Sequence, residues 1–336
     1  MNKENYLSVQ ELKALQVGLP FKTFVLVKKI NRKISKNNTT FLQIEAGDAK
    51  DSFTFNCFDG TAPFLFFSKP LSRCPQVVEI KGQSELFMEK FSPKVQSVLE
   101  VSDELYEGLL GELSERPDES VESLKEELEQ LIGQIQYETL AATVRQTLQD
   151  LGTGFFESVA AVSMHHAYVH GLLEHSVHVA RVVQKLLPLY AEVNADLALA
   201  GALLHDVGKV LEYRYSATEG IDRTCVGRLQ GHVVLGYRLV RSAALRQKLH
   251  PVWLERLEHI VLSHQGEPEW GAAVYPATPE AVLVSLADNL DARMAMVHQQ
   301  LKKAPHEQVF SDFIAGLQSR LLTQNIPDPT VDQMGF

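Results

Sequence analysis

The feature that most limits how this 336-residue chain can fold is a change of hydrophobic period partway along it. In the first hundred residues the apolar side chains come in short, β-branched and aromatic runs. These lie at Phe21–Ile30, Thr40–Ile44, Ser52–Phe58, Val77–Gly82 and Lys94–Leu99, with the turn cluster Ser35-Lys36-Asn37-Asn38 between the first two. The third run alternates polar and apolar residues, as a half-buried strand requires. Short strands at this spacing predict a small five-stranded barrel. Beyond residue 120 the apolar residues recur at three and four, over 121–150, 172–187, 195–206, 232–247, 253–263 and 279–300. That period predicts helices, and no strand is expected there. The chain therefore reads as multidomain, β plus all-α. A barrel spans 1–102, an acidic linker 103–120, an all-α bundle 121–325 and a tail 326–336. The linker carries Glu112, Glu115, Pro117, Asp118 and Glu119, and Ser120 with Glu122 suits a helix start.

Charge follows the same division. The net value is −10, yet residues 1–100 carry 14 Lys+Arg against 10 Asp+Glu. Five basic residues, Lys28, Lys29, Arg32, Lys33 and Lys36, fall within nine positions and can steer a polyanion to the barrel. Five strands, a basic first turn and many aromatics fit the OB-fold, which binds single strands by stacking bases on rings in a positive groove. Alternation places most of Phe41, Phe53, Phe55 and Phe58 in the core. No window approaches the ~18 consecutive apolar residues of a membrane span, and the start lacks a signal-peptide run. The expectation is a cytoplasmic protein with no membrane partner. Cys57, Cys74 and Cys225 form no CxxC pair, which argues against a disulfide framework or a cysteine zinc site.

The helical section holds the chemistry. His175 stands near the start of one helix, and His205-Asp206 ends the apolar run Leu197–Leu204, with Gly208-Lys209 following. His232 opens another helix, His259 and His264 lie in a third, and Asp288 sits inside the apolar run Ala281–Asp291. A carboxylate buried among apolar residues is costly unless a partner charge or a metal compensates it. Imidazole and carboxylate together suit Mn²⁺, Fe²⁺, Co²⁺, Ni²⁺ or Zn²⁺, with Mg²⁺ favouring oxygen more strongly. Lys209, four residues after His205, can reach an anionic ligand. Any one histidine reads as an ordinary packed residue. A His, a His-Asp pair, further His and an intrahelical Asp on separate helices do not read as packing.

His175, His205-Asp206 and Asp288 look like the H…HD…D signature of the HD phosphohydrolase superfamily. The surrounding segments extend the likeness: His165-His166-Ala167-Tyr168, Gly171–His175, Leu203–Val210, Gly227–His232, His259–Gly271 and Ala287–Met294. Together they resemble the YhaM-type 3′→5′ exoribonuclease family, whose members also carry an N-terminal OB-fold. The resemblance implies that His175, His205, Asp206 and Asp288 hold a first metal. It implies that His232 and His264, with Asp206 bridging, hold a second. Two divalent ions, Mn²⁺ favoured, would then cleave single-stranded RNA or DNA, with Lys209 stabilising charge on the phosphoryl group. Self-association is left open. His165, His166, His259, Gln265 and Asp291 are candidates for orienting ligands or touching substrate. The family commonly has two adjacent histidines where this chain has His264-Gln265, which bears on the second metal. The rival readings are an HD phosphohydrolase acting on small nucleotides and a nucleic-acid-binding protein with a vestigial site.

Overall fold

The computed structural model describes residues 6–35, 37–73, 75–161, 168–216, 220–303 and 309–324. It opens with a short helix α1 (Val9–Lys13), closed by a capping box in which Ser8 and Glu11 exchange hydrogen bonds. The barrel strands are β1 (Pro20–Ile34), β2 (Thr40–Gly47), β3 (Ser52–Phe58) and β4 (Gln76–Gln83), with helix α2 (Ala62–Phe67) between β3 and β4. A two-residue hairpin, β5 (Leu86–Phe87) and β6 (Lys90–Phe91), leads into β7 (Lys94–Glu100). The five long strands form one antiparallel sheet in the order β3-β2-β1-β4-β7, curved so that its edge strands β3 and β7 approach one another. The alternation read from the sequence is the alternation seen. Phe53, Phe55 and Cys57 face inward with Leu42, Ile44, Val25 and Ile80, while Thr54 and Phe58 face out. Phe64 and Phe67 of α2 and Val9 and Leu12 of α1 complete this core.

Residues 103–120, expected as a linker, open instead with helix α3 (Asp103–Leu113). Beneath its acidic surface Leu105, Tyr106, Leu109, Leu110 and Leu113 pack on Leu26, Val77 and Val101, so the helix covers part of the barrel wall. The bundle then runs through α4 (Val121–Gly133), α5 (Glu138–Leu151), α6 (Thr153–Glu157), α7 (Gly171–Leu186), α8 (Ala195–Leu204) and α9 (Lys209–Glu212). Next comes a hairpin, β8 (Tyr213–Ser216) and β9 (Gly220–Arg223), and then α10 (Cys225–Arg246), α11 (Pro251–Ser263) and α12 (Pro279–Lys303). This half is helical as expected, and the short hairpin is the one departure from the expectation of no strand there among the described residues. Helix α8 is apolar all round and lies at the centre, with residues 197–204 all buried. Neighbouring helices approach it closely: a Cβ at Gly201 would stand 2.6 Å from Cγ2 of Ile260 on α11. Within α10, Gly231 has φ +69° and breaks the helix. Among the described residues no helix is long and apolar enough to cross a membrane.

Candidate metal centre

Five helices deliver their polar residues to one point. His175 comes from the second turn of α7, His205 is the C-cap of α8, and Asp206 follows in the turn to α9. His232 begins the second half of α10 just after the Gly231 break, His264 caps the C-terminus of α11, and Asp288 lies within α12. His175, His205, Asp206 and His264 are fully buried, and Asp288 is 9% exposed.

The imidazoles all present the same nitrogen. Nδ1 of His205 donates to the Ala202 carbonyl and Nδ1 of His264 to the Val261 carbonyl, each at 2.7 Å. Nδ1 of His175 meets Asp291 Oδ2, and Nδ1 of His232 meets Glu212 Oε2, again at 2.7 Å each. Every Nδ1 faces an oxygen acceptor and so carries the proton, which leaves each Nε2 lone pair aimed inward. These four Nε2 atoms surround Asp206. His175 and His205 lie 3.3 and 3.4 Å from its Oδ2, while His232 and His264 lie 3.5 and 3.4 Å from its Oδ1. His175 Nε2 is also 3.1 Å from Asp288 Oδ1 and 3.2 Å from His205 Nε2. Two groups result, His175–His205–Asp288 and Asp206–His232–His264, with the ligand atoms of each within 4.8 Å of one another.

The donor set fits divalent cations. Both Asp206 oxygens are buried; Oδ2 meets the Lys209 ammonium at 2.5 Å, whereas Oδ1 finds no hydrogen-bond donor among the described residues. Imidazole nitrogens facing one another across 3.2 Å, beside carboxylates, need a positive charge between them. Burial opposes a charged His175, but Asp206, Asp288 and Asp291 overcome it and hold the imidazole pKa well above its ordinary value. Burial likewise opposes ionisation of Asp206, and Lys209, His205 and His175 outweigh it, so its carboxyl sits well below the usual range. Burial opposes a charged Lys209 too, and Asp206 and Asp288 outweigh it, raising its pKa above the ordinary value.

Other expected residues are distributed unevenly. Asp291 orients His175 as described, and its other oxygen is 3.3 Å from His178 Nδ1. Gln265 lies at the cluster's edge, its amide nitrogen 3.0 Å from His264 Nε2 and 3.4 Å from His232 Nε2. His259 is directed elsewhere. Its Nε2 accepts from the Ala277 N–H at 2.8 Å, which is a structural contact. His165, His166 and Lys36 lie outside the described residues. Lys29, Arg32 and Lys33 are exposed on β1, whereas the Lys28 ammonium donates to the Asp48 carbonyl at 3.1 Å beside a bulge between Val27 and Lys29. Two residues tied to the cluster escaped sequence reasoning. His178 sits three positions after His175 and bridges Asp291 to Glu119, and Glu212 sits three after Lys209 and backs His232. One-turn spacing from a candidate residue was the available signal.

Residues 172–293, the part of the bundle that gathers a histidine, a histidine–aspartate pair and a late aspartate, match the HD domain family. The likeness extends well beyond that domain. Three proteins named 3'-5' exoribonuclease YhaM are each 28% identical to this chain. The first, from a Geobacillus species, aligns over 91% of this chain and 92% of its own length. The second, from Oceanobacillus iheyensis, aligns over 85% and 88%, and the third, from Halalkalibacterium halodurans, over 94% and 97%. The resemblance carried by the motifs thus holds across barrel and bundle together.

Proposed function

We propose that this chain is a metal-dependent 3′→5′ exonuclease acting on single-stranded RNA or DNA and releasing nucleoside monophosphates. The observation that carries the reading is the convergence of four Nδ1-fixed imidazoles on the two oxygens of one buried aspartate. His175, His205, Asp206 and Asp288 would hold one divalent cation, and His232 and His264 with Asp206 a second, Mn²⁺ being favoured and Mg²⁺, Co²⁺, Fe²⁺ or Ni²⁺ compatible. Bound cations supply Lewis acidity toward a phosphodiester and lower the pKa of water to near neutrality. Asp206 spans both groups, so its position sets their separation. Lys209 sits against Asp206 at the centre, where its ammonium can neutralise charge that develops on phosphoryl oxygens.

The barrel would hold the strand upstream of the reacting end. Register places Lys33, Phe41 and Phe58 in one row across β1, β2 and β3. The two rings lie 5.8 Å apart, and Phe58 is 57% exposed rather than in the core. A ring pair of exposed Phe58 and half-buried Phe41, on the sheet that carries Lys29, Arg32 and Lys33, suits bases and phosphates of a single strand. Between barrel and bundle lies a cavity of about 690 Å³ whose lining includes Lys50, Arg116, His178 and Asp291, which puts it at the edge of the metal centre. The intact set of oriented imidazoles speaks against a vestigial site.

The test is incubation of 5′-labelled single-stranded RNA and DNA with Mn²⁺. A ladder shortening one nucleotide at a time from the 3′ end is expected, and Asp206→Ala should abolish it while the protein stays folded. Internal cuts, shortening from the 5′ end, or full turnover by Asp206→Ala would overturn the proposal.

A further inference from the structure

Glu212 is not among the six candidate ligands, yet it is 2% exposed and its carboxylate is fully engaged. Oε2 accepts from Nδ1–H of His232 at 2.7 Å and from the His232 backbone N–H at 3.1 Å. The break at Gly231 frees that N–H from helical bonding, so the carboxylate also caps the second half of α10. Oε1 pairs with Arg223 Nε at 3.2 Å. The backbone is equally confined. The Glu212 carbonyl accepts from the Thr224 N–H at 2.8 Å, and a Cβ at Gly227 would stand 2.5 Å from that oxygen. Arg223 ends the β8–β9 hairpin, whose other strand-end residue, Gly220, abuts the barrel. A Cβ there would lie 2.5 Å from the Lys28 carbonyl.

A free neutral imidazole favours the proton on Nε2, the nitrogen that His232 turns toward Asp206. Something must reverse that preference for His232 to serve as a ligand, and a buried carboxylate on Nδ1 does so. We propose that Glu212 is a positioning residue, which holds His232 as the Nδ1–H tautomer with Nε2 aimed at Asp206. Arg223 braces it from a hairpin seated on β1. The inference rests on the metal-centre reading above, but its first readout does not require a metal.

The experiment uses full-length protein with ¹⁵N-labelled histidine, stripped of metal. Two-bond ¹H–¹⁵N correlation reports the tautomer of His232, and calorimetric titration with Mn²⁺ alone reports uptake. Wild type should show the Nδ1–H tautomer. Glu212→Ala should lose it and weaken one of two binding steps by about 10–100-fold, leaving the other unchanged. Glu212→Gln, whose Oε1 still accepts, should fall between. Arg223→Met should show a smaller loss of the same kind. Should Glu212→Ala fail to fold, as loss of the α10 cap allows, the Gln and Met variants keep the side-chain volume and decide the matter. An Nε2–H tautomer in the wild type, or wild-type tautomer and titration in the variants, would overturn the role. Absence of Mn²⁺ uptake by the wild type would instead remove the metal-centre reading and leave the tautomer result standing.

Discussion

Gly208 offers the sharpest test of how the fold holds its polar centre together. It lies two residues after Asp206, and its Cα faces the break in α10. A Cβ there would stand 1.9 Å from the His232 carbonyl oxygen and 2.5 Å from the Gly236 nitrogen, both backbone atoms. Ordinary contact begins near 3.4 Å, so Gly208→Ala must push the two segments apart by about 1.5 Å. His232 Nε2 is now 3.5 Å from Asp206 Oδ1, and a shift of that size along the same direction would take them to about 5 Å. Overpacking of this kind costs about 1–3 kcal/mol, which in a domain of this size lowers Tm by roughly 2–12 °C. Scanning calorimetry on metal-free protein measures the first effect. Mn²⁺ titration measures the second, as loss of one binding step with the His175–His205–Asp288 step retained. Gly108→Ala is the control. It lies inside α3 with open space around it, and is expected to raise stability by about 0.5–1 kcal/mol. A Gly208→Ala protein with wild-type Tm and two wild-type binding steps would refute the claim that this close approach sets the site.

Cation loading should stabilise the bundle. At a hundredfold excess over Kd, Mn²⁺ contributes about 2.7 kcal/mol, or roughly 5–11 °C in Tm, and chelator should reverse it; no shift would count against a metal centre. Replacing Lys29, Arg32 and Lys33 together by Gln should weaken oligonucleotide binding while sparing dinucleotides. It should also flatten the slope of log K against log salt by about 2; equal losses on both ligands would deny the barrel a tethering role. Glu119 is held below its ordinary pKa of 4.5, by Arg181 foremost and against partial burial, and by His178. Its contribution to stability is therefore complete above pH 4.5 and is lost as pH falls through the lower folded value. Glu119→Gln should lower Tm at pH 7 by up to ~4 °C, the figure for a partly exposed pair worth under about 1 kcal/mol, and the difference should vanish in strong acid.

Much of this was legible in the sequence because it followed from period and from buried charge. Residues 52–58 alternate because one face of β3 fills the barrel. Asp206 and Asp288 stood out because each interrupts or ends an apolar run with a group that cannot be buried unpaired. The stripe of Leu105, Leu109, Leu110 and Leu113 was concealed by Asp103, Glu104 and Glu112, which made a packed helix look like a linker. The β8–β9 hairpin is four residues on each side, too short for a period to declare itself. Phe58 follows the rhythm of β3 onto its outer face, opposite Phe53 and Phe55, as alternation requires. Lys28 belonged to a basic run, yet its ammonium is committed to Asp48, a tertiary contact that no local pattern encodes. His178 and Glu212 needed the partner chain segments, Asp291 and His232, to be in place before their roles were visible.

Gln265 is where this chain departs from the adjacent histidines common in the family it resembles, and the geometry gives the departure a measurable consequence. Its amide nitrogen approaches the inward nitrogens of both His264 and His232. Those nitrogens carry no proton, since each Nδ1 donates outward, so the amide N–H groups donate into the lone pairs a cation would use. A cation and an N–H cannot occupy one lone pair. Binding at Asp206–His232–His264 therefore requires the amide to turn, either leaving the group or presenting its oxygen. Two neutral hydrogen bonds, one of them long, represent about 1–2 kcal/mol, which is roughly 5–30-fold in affinity. Gln265→Ala should accordingly bind Mn²⁺ at its weaker step ~5–30-fold more tightly than wild type. Gln265→His should bind at least as tightly as the alanine variant, because the imidazole can supply a further nitrogen. Calorimetric titration reads both, with Tm of the metal-free proteins confirming that each is folded. Should neither variant gain affinity at that step, the amide is no obstacle, and Gln265 would be a packing residue beside the centre rather than a competitor for it.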